Sequence, residues 1–92
     1  MPKLNPQQIK EQLAALPGWQ IENGELVRTF AFKDFIEALR FVNRVGETAE
    51  KAGHHPDIDI RYNRVRLALI THDAGGLTEK DFQLASQASA LG

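Results

Sequence analysis

Hydrophobic positions recur along this chain with two alternating periods, and the switches between them mark its elements. Ile9, Leu13 and Leu16 lie at the spacing of one helical face. Asn5 ahead of Pro6 marks the start of that helix, because Asn can cap a free N–H and Pro gives up a donor that has no partner at the first helical position. Pro17-Gly18 ends it. Trp19-Gln20-Ile21 then alternates apolar and polar, Asn23-Gly24 supplies a two-residue hairpin turn, and Leu26 to Phe32 reads as the returning strand. From Asp34 the helical period returns. Phe35, Ile36, Leu39, Val42, Val45 and Ala49 form its apolar stripe, Arg40, Arg44, Glu47 and Lys51 its outer face, and Gly53 suits its C-terminal cap. Ile58, Ile60 and Tyr62 alternate with Asp57, Asp59 and Arg61, and Val65, Leu67 and Leu69 with Arg66 and Ala68, which predicts a second hairpin turning at Asn63-Arg64. Thr78 with Asp81 three residues later resembles a capping box opening a last helix through Phe82, Leu84, Ala85 and Ala88. The order α-β-β-α-β-β-α predicts an α+β fold: a single domain over 1–92, with one four-stranded antiparallel sheet and helices packed on one face.

Composition narrows the function more than the fold. Ninety-two residues leave room for one domain. Eleven Lys and Arg against twelve Asp and Glu give a net charge of −1, which provides no electrostatic footprint for nucleic acid or an anionic membrane. The lack of cysteine removes disulfides, thiolate nucleophiles and Cys-dependent metal sites. No apolar run approaches the roughly 18 residues of a membrane span, and MPKLNPQQIK lacks the apolar core of a secretory signal, so the expected compartment is cytoplasmic.

The chain has three histidines, His54, His55 and His72, and the second hairpin gathers them. With Asn63-Arg64 as a two-residue loop, Tyr62 pairs with Val65, Ile60 with Leu67 and Ile58 with Leu69. The same ladder, continued, sets His55 opposite His72, at the roughly 4.5–5.5 Å Cβ separation of a directly opposed pair. A four-residue loop would instead set Asp57 opposite His72; in both registers the histidines share one end of the hairpin. Pro56 restricts His55 to extended backbone, and Asp73-Ala74-Gly75-Gly76 lets a ligand approach the chain closely. Imidazoles give and accept protons near neutrality, so several together suit a reaction needing acid and base at once, such as elimination of water. A metal site built from His54, His55, His72 and Asp73 is the chemical alternative, although adjacent residues of an extended chain point to opposite sides. An ordinary His-His-Pro loop and Gly-Gly turn is the bland one.

The residues also carry a family likeness. The string Glu50-Lys51-Ala52-Gly53-His54-His55-Pro56-Asp57, the segment Tyr62-Asn63-Arg64-Val65, and the run Leu69 to Thr78 followed by Asp81 resemble the pterin-4a-carbinolamine dehydratase family. The likeness reaches upstream through Leu16-Pro17-Gly18-Trp19, Arg28-Thr29-Phe30 and Phe35. It implies the same four-stranded sheet with helices on one side. It also implies the reaction: a hydro-lyase removes water from the 4a-hydroxytetrahydrobiopterin left by pterin-dependent aromatic amino acid hydroxylases, giving quinonoid dihydropterin for tetrahydrobiopterin recycling. No metal or organic cofactor is required in that family.

By this resemblance His54 and His72 are the candidate acid and base, and His55 binds and orients the pterin and shares in proton transfer. Pro56, Thr71, Asp73 and Ala74 join the three histidines as expected substrate contacts. Glu50, Asp81 and Trp19 are expected to support the site. Each has a plainer reading beside it: a solvated helix residue for Glu50, a helix cap for Asp81 and a core position for Trp19. The resemblance further implies a homodimer or homotetramer and a link to a pterin-dependent hydroxylase. A binding module is the rival function, since animal members of the family stabilise the dimer of a homeodomain transcription factor; the presence of all three histidines favours the enzyme. Direct nucleic-acid binding through Arg61, Arg64 and Arg66 is a third reading. The preferred register sets Arg61 opposite Arg66, balanced by Asp59, and near-zero net charge makes this a solvated face.

Overall fold

A computed structural model describes residues 2–92. Helix α1 (Pro6–Leu13) opens at Asn5, whose Oδ1 accepts from the Gln8 N–H at 2.8 Å while Gln8 Oε1 accepts from the Asn5 N–H at 2.9 Å. These reciprocal bonds satisfy two donors that the first helical turn leaves free. The helix stops at Leu13, short of the expected Leu16: Pro17 has no N–H to offer the Leu13 carbonyl, which accepts from the Leu16 N–H at 3.0 Å as the chain tightens into turns. Leu16 is buried all the same, carried inward by turns. Strands β1 (Gln20–Glu22) and β2 (Glu25–Ala31) join through Asn23 and Gly24 at φ 52° and 80°, the left-handed pair that a two-residue hairpin turn requires.

Helix α2 (Phe35–Ala52) is capped by Asp34, which accepts from the Glu37 N–H at 2.9 Å. Its buried line is Ala38, Phe41, Val45 and Ala49. This corrects the expected stripe: Val45 and Ala49 hold, but Phe35 and Ile36 are 43% and 54% exposed. The helix is apolar over a wider arc than the sheet can cover, and aromatic packing selects the line. Phe41 meets Phe30 and Phe32 at ring-centroid distances of 4.6 and 4.9 Å.

Strands β3 (Asp57–Arg61) and β4 (Arg64–Leu69) complete an antiparallel sheet in the order β1-β2-β4-β3. Leu26, Phe30, Val65, Leu67 and Leu69 form one core with α2 and with Phe82, Leu84, Ala85 and Ala88 of helix α3 (Glu79–Leu91). The alternate positions, among them Thr29, Asp59, Arg64 and Arg66, occupy the other face. The fold is therefore the expected α+β arrangement, with helices on one side of a four-stranded sheet. No helix among the described residues is long and apolar enough to cross a membrane.

The register of the second hairpin departs from expectation by two residues. Its turn is Tyr62-Asn63, so Ile60 pairs with Val65, Ile58 with Leu67 and Asp57 with Ala68. The Asn63 amide donates to the Phe32 carbonyl at 2.8 Å, and the Asn63 carbonyl accepts the Phe32 N–H at 2.9 Å. These bonds tie the turn to the end of β2, and Tyr62 adopts the left-handed region at φ 52°. A slip of two preserves which side chains face the core, so apolar matching does not separate the registers. Arg66 now stands opposite Asp59, an attractive cross-strand pair, while Arg61 meets Arg64 beside the turn. His55 no longer faces His72. Continued past the strands, the observed register sets Gly53 level with His72 and His54 level with Thr71.

Candidate active site

Two helix ends and the end of one strand build the site. At the end of α2, the His54 N–H bonds the Ala49 carbonyl at 3.2 Å and the Gly53 N–H bonds the Glu50 carbonyl at 3.2 Å. Gly53 sits at φ 65°, a conformation that glycine reaches without Cβ strain. This paired termination satisfies helix carbonyls that would otherwise lack donors, and it delivers His54 and His55 to fixed positions just beyond the helix. Pro56 follows, where no continuation of the helix is possible.

The opposing wall comes from the segment after β4. Thr71 and Gly76 bond each other through both backbones, at 3.0 and 3.3 Å. That bridge closes a short loop holding the 3-10 turn His72–Ala74. Thr78 and Asp81 then form the expected capping box of α3.

A cleft of about 280 Å³ lies between these walls. His54, His55, Thr71, His72 and Asp73 line it, together with Gly53, Ile70 and Lys80. The three histidines thus share one cleft although the expected His55–His72 pairing is absent. Pro56 and Ala74 adjoin lining residues but do not line the cleft themselves. Trp19 belongs to the core: it is 5% exposed, donates its indole N–H to Ser89 Oγ at 2.8 Å and meets Phe30 edge-on at 6.0 Å.

The imidazoles differ in what holds them. His54 Nε2 lies 2.5 Å from Asp81 Oδ1, with the His54 side chain 13% exposed and that of Asp81 fully buried. The other carboxylate oxygen, Oδ2, accepts from the Thr71 hydroxyl at 2.8 Å and from the Thr78 N–H at 2.9 Å. Asp81 is therefore a helix cap and the anchor of an imidazole at once. His55 Nε2 lies 2.8 Å from Glu50 Oε1, but both side chains are largely in water. His72 is exposed on its 3-10 turn. Among the described residues no group of three or more His, Asp or Glu is arranged to hold a metal ion.

Sequence reasoning missed Lys80, Ile70 and Gly53 as lining residues. Lys80 has a weak signal in retrospect, because it lies between the cap Thr78 and Asp81 and so starts on the turn that carries the site. A lysine there otherwise reads as a solvated helix residue. The side chains gathered in the cleft can give and accept protons, with hydroxyl and backbone groups beside them.

Fold and site together define a small histidine-based α+β domain, and its family follows from its relatives. Residues 2–91 match the family model of Pterin 4 alpha carbinolamine dehydratase, and the chain belongs to that family. It is 60% identical over 91 residues to a protein of Acidobacterium capsulatum, covering 99% of each chain. It is 65% identical over 86 residues to a protein of Chloroflexus aurantiacus, covering 94% of this chain and 92% of that one. Both relatives bear the provisional name pterin-4-alpha-carbinolamine dehydratase. The crystal structure of a transcriptional coactivator/pterin dehydratase from Brucella melitensis matches with a TM-score of 0.93 at 38% identity, over 97% of each chain. A pterin dehydratase-like RuBisCO assembly factor of the alpha-carboxysome matches at a TM-score of 0.65 and 24% identity, over 79% of this chain and 84% of that one, a likeness of fold alone.

Proposed function

We propose that this protein eliminates water from 4a-hydroxytetrahydropterin, by histidine acid–base catalysis without a metal. The observation that carries the reading is the convergence of His54, His55 and His72 on one cleft, with His54 anchored from behind by a buried carboxylate. In the reaction the C4a–O bond breaks as a proton reaches the departing hydroxyl, and the N5 proton is removed as the C4a=N5 bond forms. One water leaves and quinonoid dihydropterin remains. The step needs a donor and an acceptor at opposite ends of a short stretch of one ring, and His54 and His72 fill those roles from opposite walls of the cleft. His55, held by Glu50, orients the pterin, and Thr71 and Asp73 contact it.

The wider roles follow from the same reading. The product would return to tetrahydropterin through a reductase, serving a pterin-dependent aromatic amino acid hydroxylase, in the cytoplasm. Self-association into a dimer or tetramer is supported by exposed apolar side chains, among them Phe35, Ile36 and Ile58 at 43%, 54% and 38% exposure. Sedimentation would report a single monomeric species if that part is wrong. The function is tested by following dehydration of 4a-hydroxytetrahydrobiopterin: acceleration over the uncatalysed reaction is expected, and none would overturn the proposal.

A further inference from the structure

Beside the histidine cleft lies a smaller hollow that no step of the dehydration uses. It measures about 70 Å³ and sits in the seam between the end of α2 and the first turns of α3. Ala52 supplies one wall, and Lys80, Gln83 and Gln87 supply the other, beside a buried Leu84. Their spacing explains the wall: positions 80, 83, 84 and 87 share one face of a helix, so three polar side chains line up with one apolar one. His54 and Lys80 border both hollows, which therefore adjoin. The boundary between them is firm, because the His54 imidazole is fixed 2.5 Å from the buried Asp81.

This second hollow carries a cation that the fold does not neutralise. Among the described residues Lys80 forms no ion pair. Its own helix face offers no acid, since Gly76, Leu77, Gln83 and Leu84 occupy the positions three and four residues away. The acids on either side of it in sequence are engaged elsewhere. Glu79 accepts from Gln12 at 2.5 Å, and the two Asp81 oxygens accept from Thr71 and the Thr78 N–H and meet His54. An ammonium only donates hydrogen bonds, and each glutamine amide adds an NH2 group, so the wall suits an oxygen-rich anion. A phosphate monoester brings three acceptor oxygens and most of two negative charges. Size agrees: one water needs about 10–15 Å³, so the hollow takes a group of phosphate size and excludes a second ring.

We propose that this hollow is the subsite for a phosphate carried on the C6 substituent of the pterin, with Lys80 as the residue that sets the preference. The proposal rests on the dehydratase reading and deepens it by naming a substrate class, pterins whose side chain ends in a phosphate monoester. C6 is bonded to N5, the atom that loses its proton in dehydration, so a substituent there leaves the ring beside the reacting atoms and beside the histidines. His54 borders both hollows and marks where such a substituent passes from one to the other.

The test is calorimetric titration of 6-hydroxymethylpterin and of its phosphate monoester into wild type, Lys80→Met and Lys80→Arg. The readout is the ratio of the two Kd values, in which any general loss of binding cancels. In wild type the phosphate should bind about five-fold tighter, the size that one solvent-exposed ion pair supports, and the preference should shrink as salt is raised. Lys80→Met should bring the ratio to about one, Lys80→Arg should keep it, and Gln87→Ala should lower it only about two-fold. Equal affinity of wild type for the two pterins would overturn the proposal, as would failure of both to bind. A phosphate preference that survives Lys80→Met would overturn it as well, by placing the anion against the histidines. The expected ratios in a protein that does not accelerate dehydration of 4a-hydroxytetrahydrobiopterin would instead sink the dehydratase reading and leave the phosphate subsite standing.

Discussion

His54 and His55 are neighbours in sequence, each bonds a carboxylate through Nε2, and the two pairs have little else in common. The His54–Asp81 pair spans 2.5 Å with Asp81 fully buried, and the carboxylate is further held by Thr71 and Thr78. The His55–Glu50 pair spans 2.8 Å with the side chains 62% and 80% exposed. Water competes for both partners of the second pair, and two mobile side chains must be ordered to make it. Water competes far less for the first pair, whose carboxylate is fully buried, and its loss would leave the buried Thr78 N–H without its acceptor. Residues that share a dipeptide thus divide into a pre-set chemical group and an adjustable one. The division originates at Gly53, whose left-handed turn sends successive residues to different surroundings.

The sharpest way to break this contrast is Asp81→Ala. It strips an acceptor from Thr71, the Thr78 N–H and His54 together, and we expect a loss of about 3 kcal/mol in stability along with at least about 100-fold in dehydration rate. Equilibrium urea denaturation measures the first and initial-rate assays the second; a stable, active Asp81→Ala protein would remove the distinction between the pairs. Next in size is His55→Ala. Because His55 orients rather than relays, it should raise KM by about ten-fold, roughly 1.4 kcal/mol of binding, and leave stability within about 0.5 kcal/mol. A fall in kcat alone would assign His55 to the proton transfers instead. The smallest effect belongs to Glu50→Gln. Loss of this solvent-exposed pair should shift stability by less than about 1 kcal/mol, and the difference between wild type and variant should shrink further as salt is raised. A salt-independent loss would show that Glu50 is held more firmly than its exposure indicates.

Much of the fold was legible where local chemistry decides it. Asn23-Gly24 is a turn because both residues accept the left-handed region, and Asp34 and Gly53 bound α2 because one caps free N–H groups and the other free carbonyls. Local chemistry leaves the rest open. The Tyr62-Asn63 turn depends on bonds between Asn63 and Phe32, which are distant in sequence, and a register shifted by two keeps every side chain on its face. The buried line of α2 was hidden for a related reason: apolar residues cover several adjacent helix positions, and only contact with Phe30 and Phe32 selects Phe41.

The site divides along the same boundary. The common end of the hairpin shared by the histidines followed from strand arithmetic in any register, whereas His54 entered through family resemblance. Asp81 was legible as a cap from its spacing to Thr78. Its bond to His54 is tertiary, made only when the ends of α2 and α3 meet, and no spacing encodes it. Lys80 was invisible for want of any pattern separating a cleft lysine from a solvated one.

His72 is the histidine whose removal reads the chemistry most cleanly, because it is exposed on its turn and its loss should barely touch the fold. The decisive measurement is the rate of 4a-hydroxytetrahydrobiopterin dehydration by wild type and His72→Ala at equal concentration, with thermal unfolding of both as the control. Acid–base catalysis at this cleft predicts unchanged unfolding and a rate lower by about 10²–10⁴. A folded His72→Ala protein that dehydrates the pterin at the wild-type rate would contradict it.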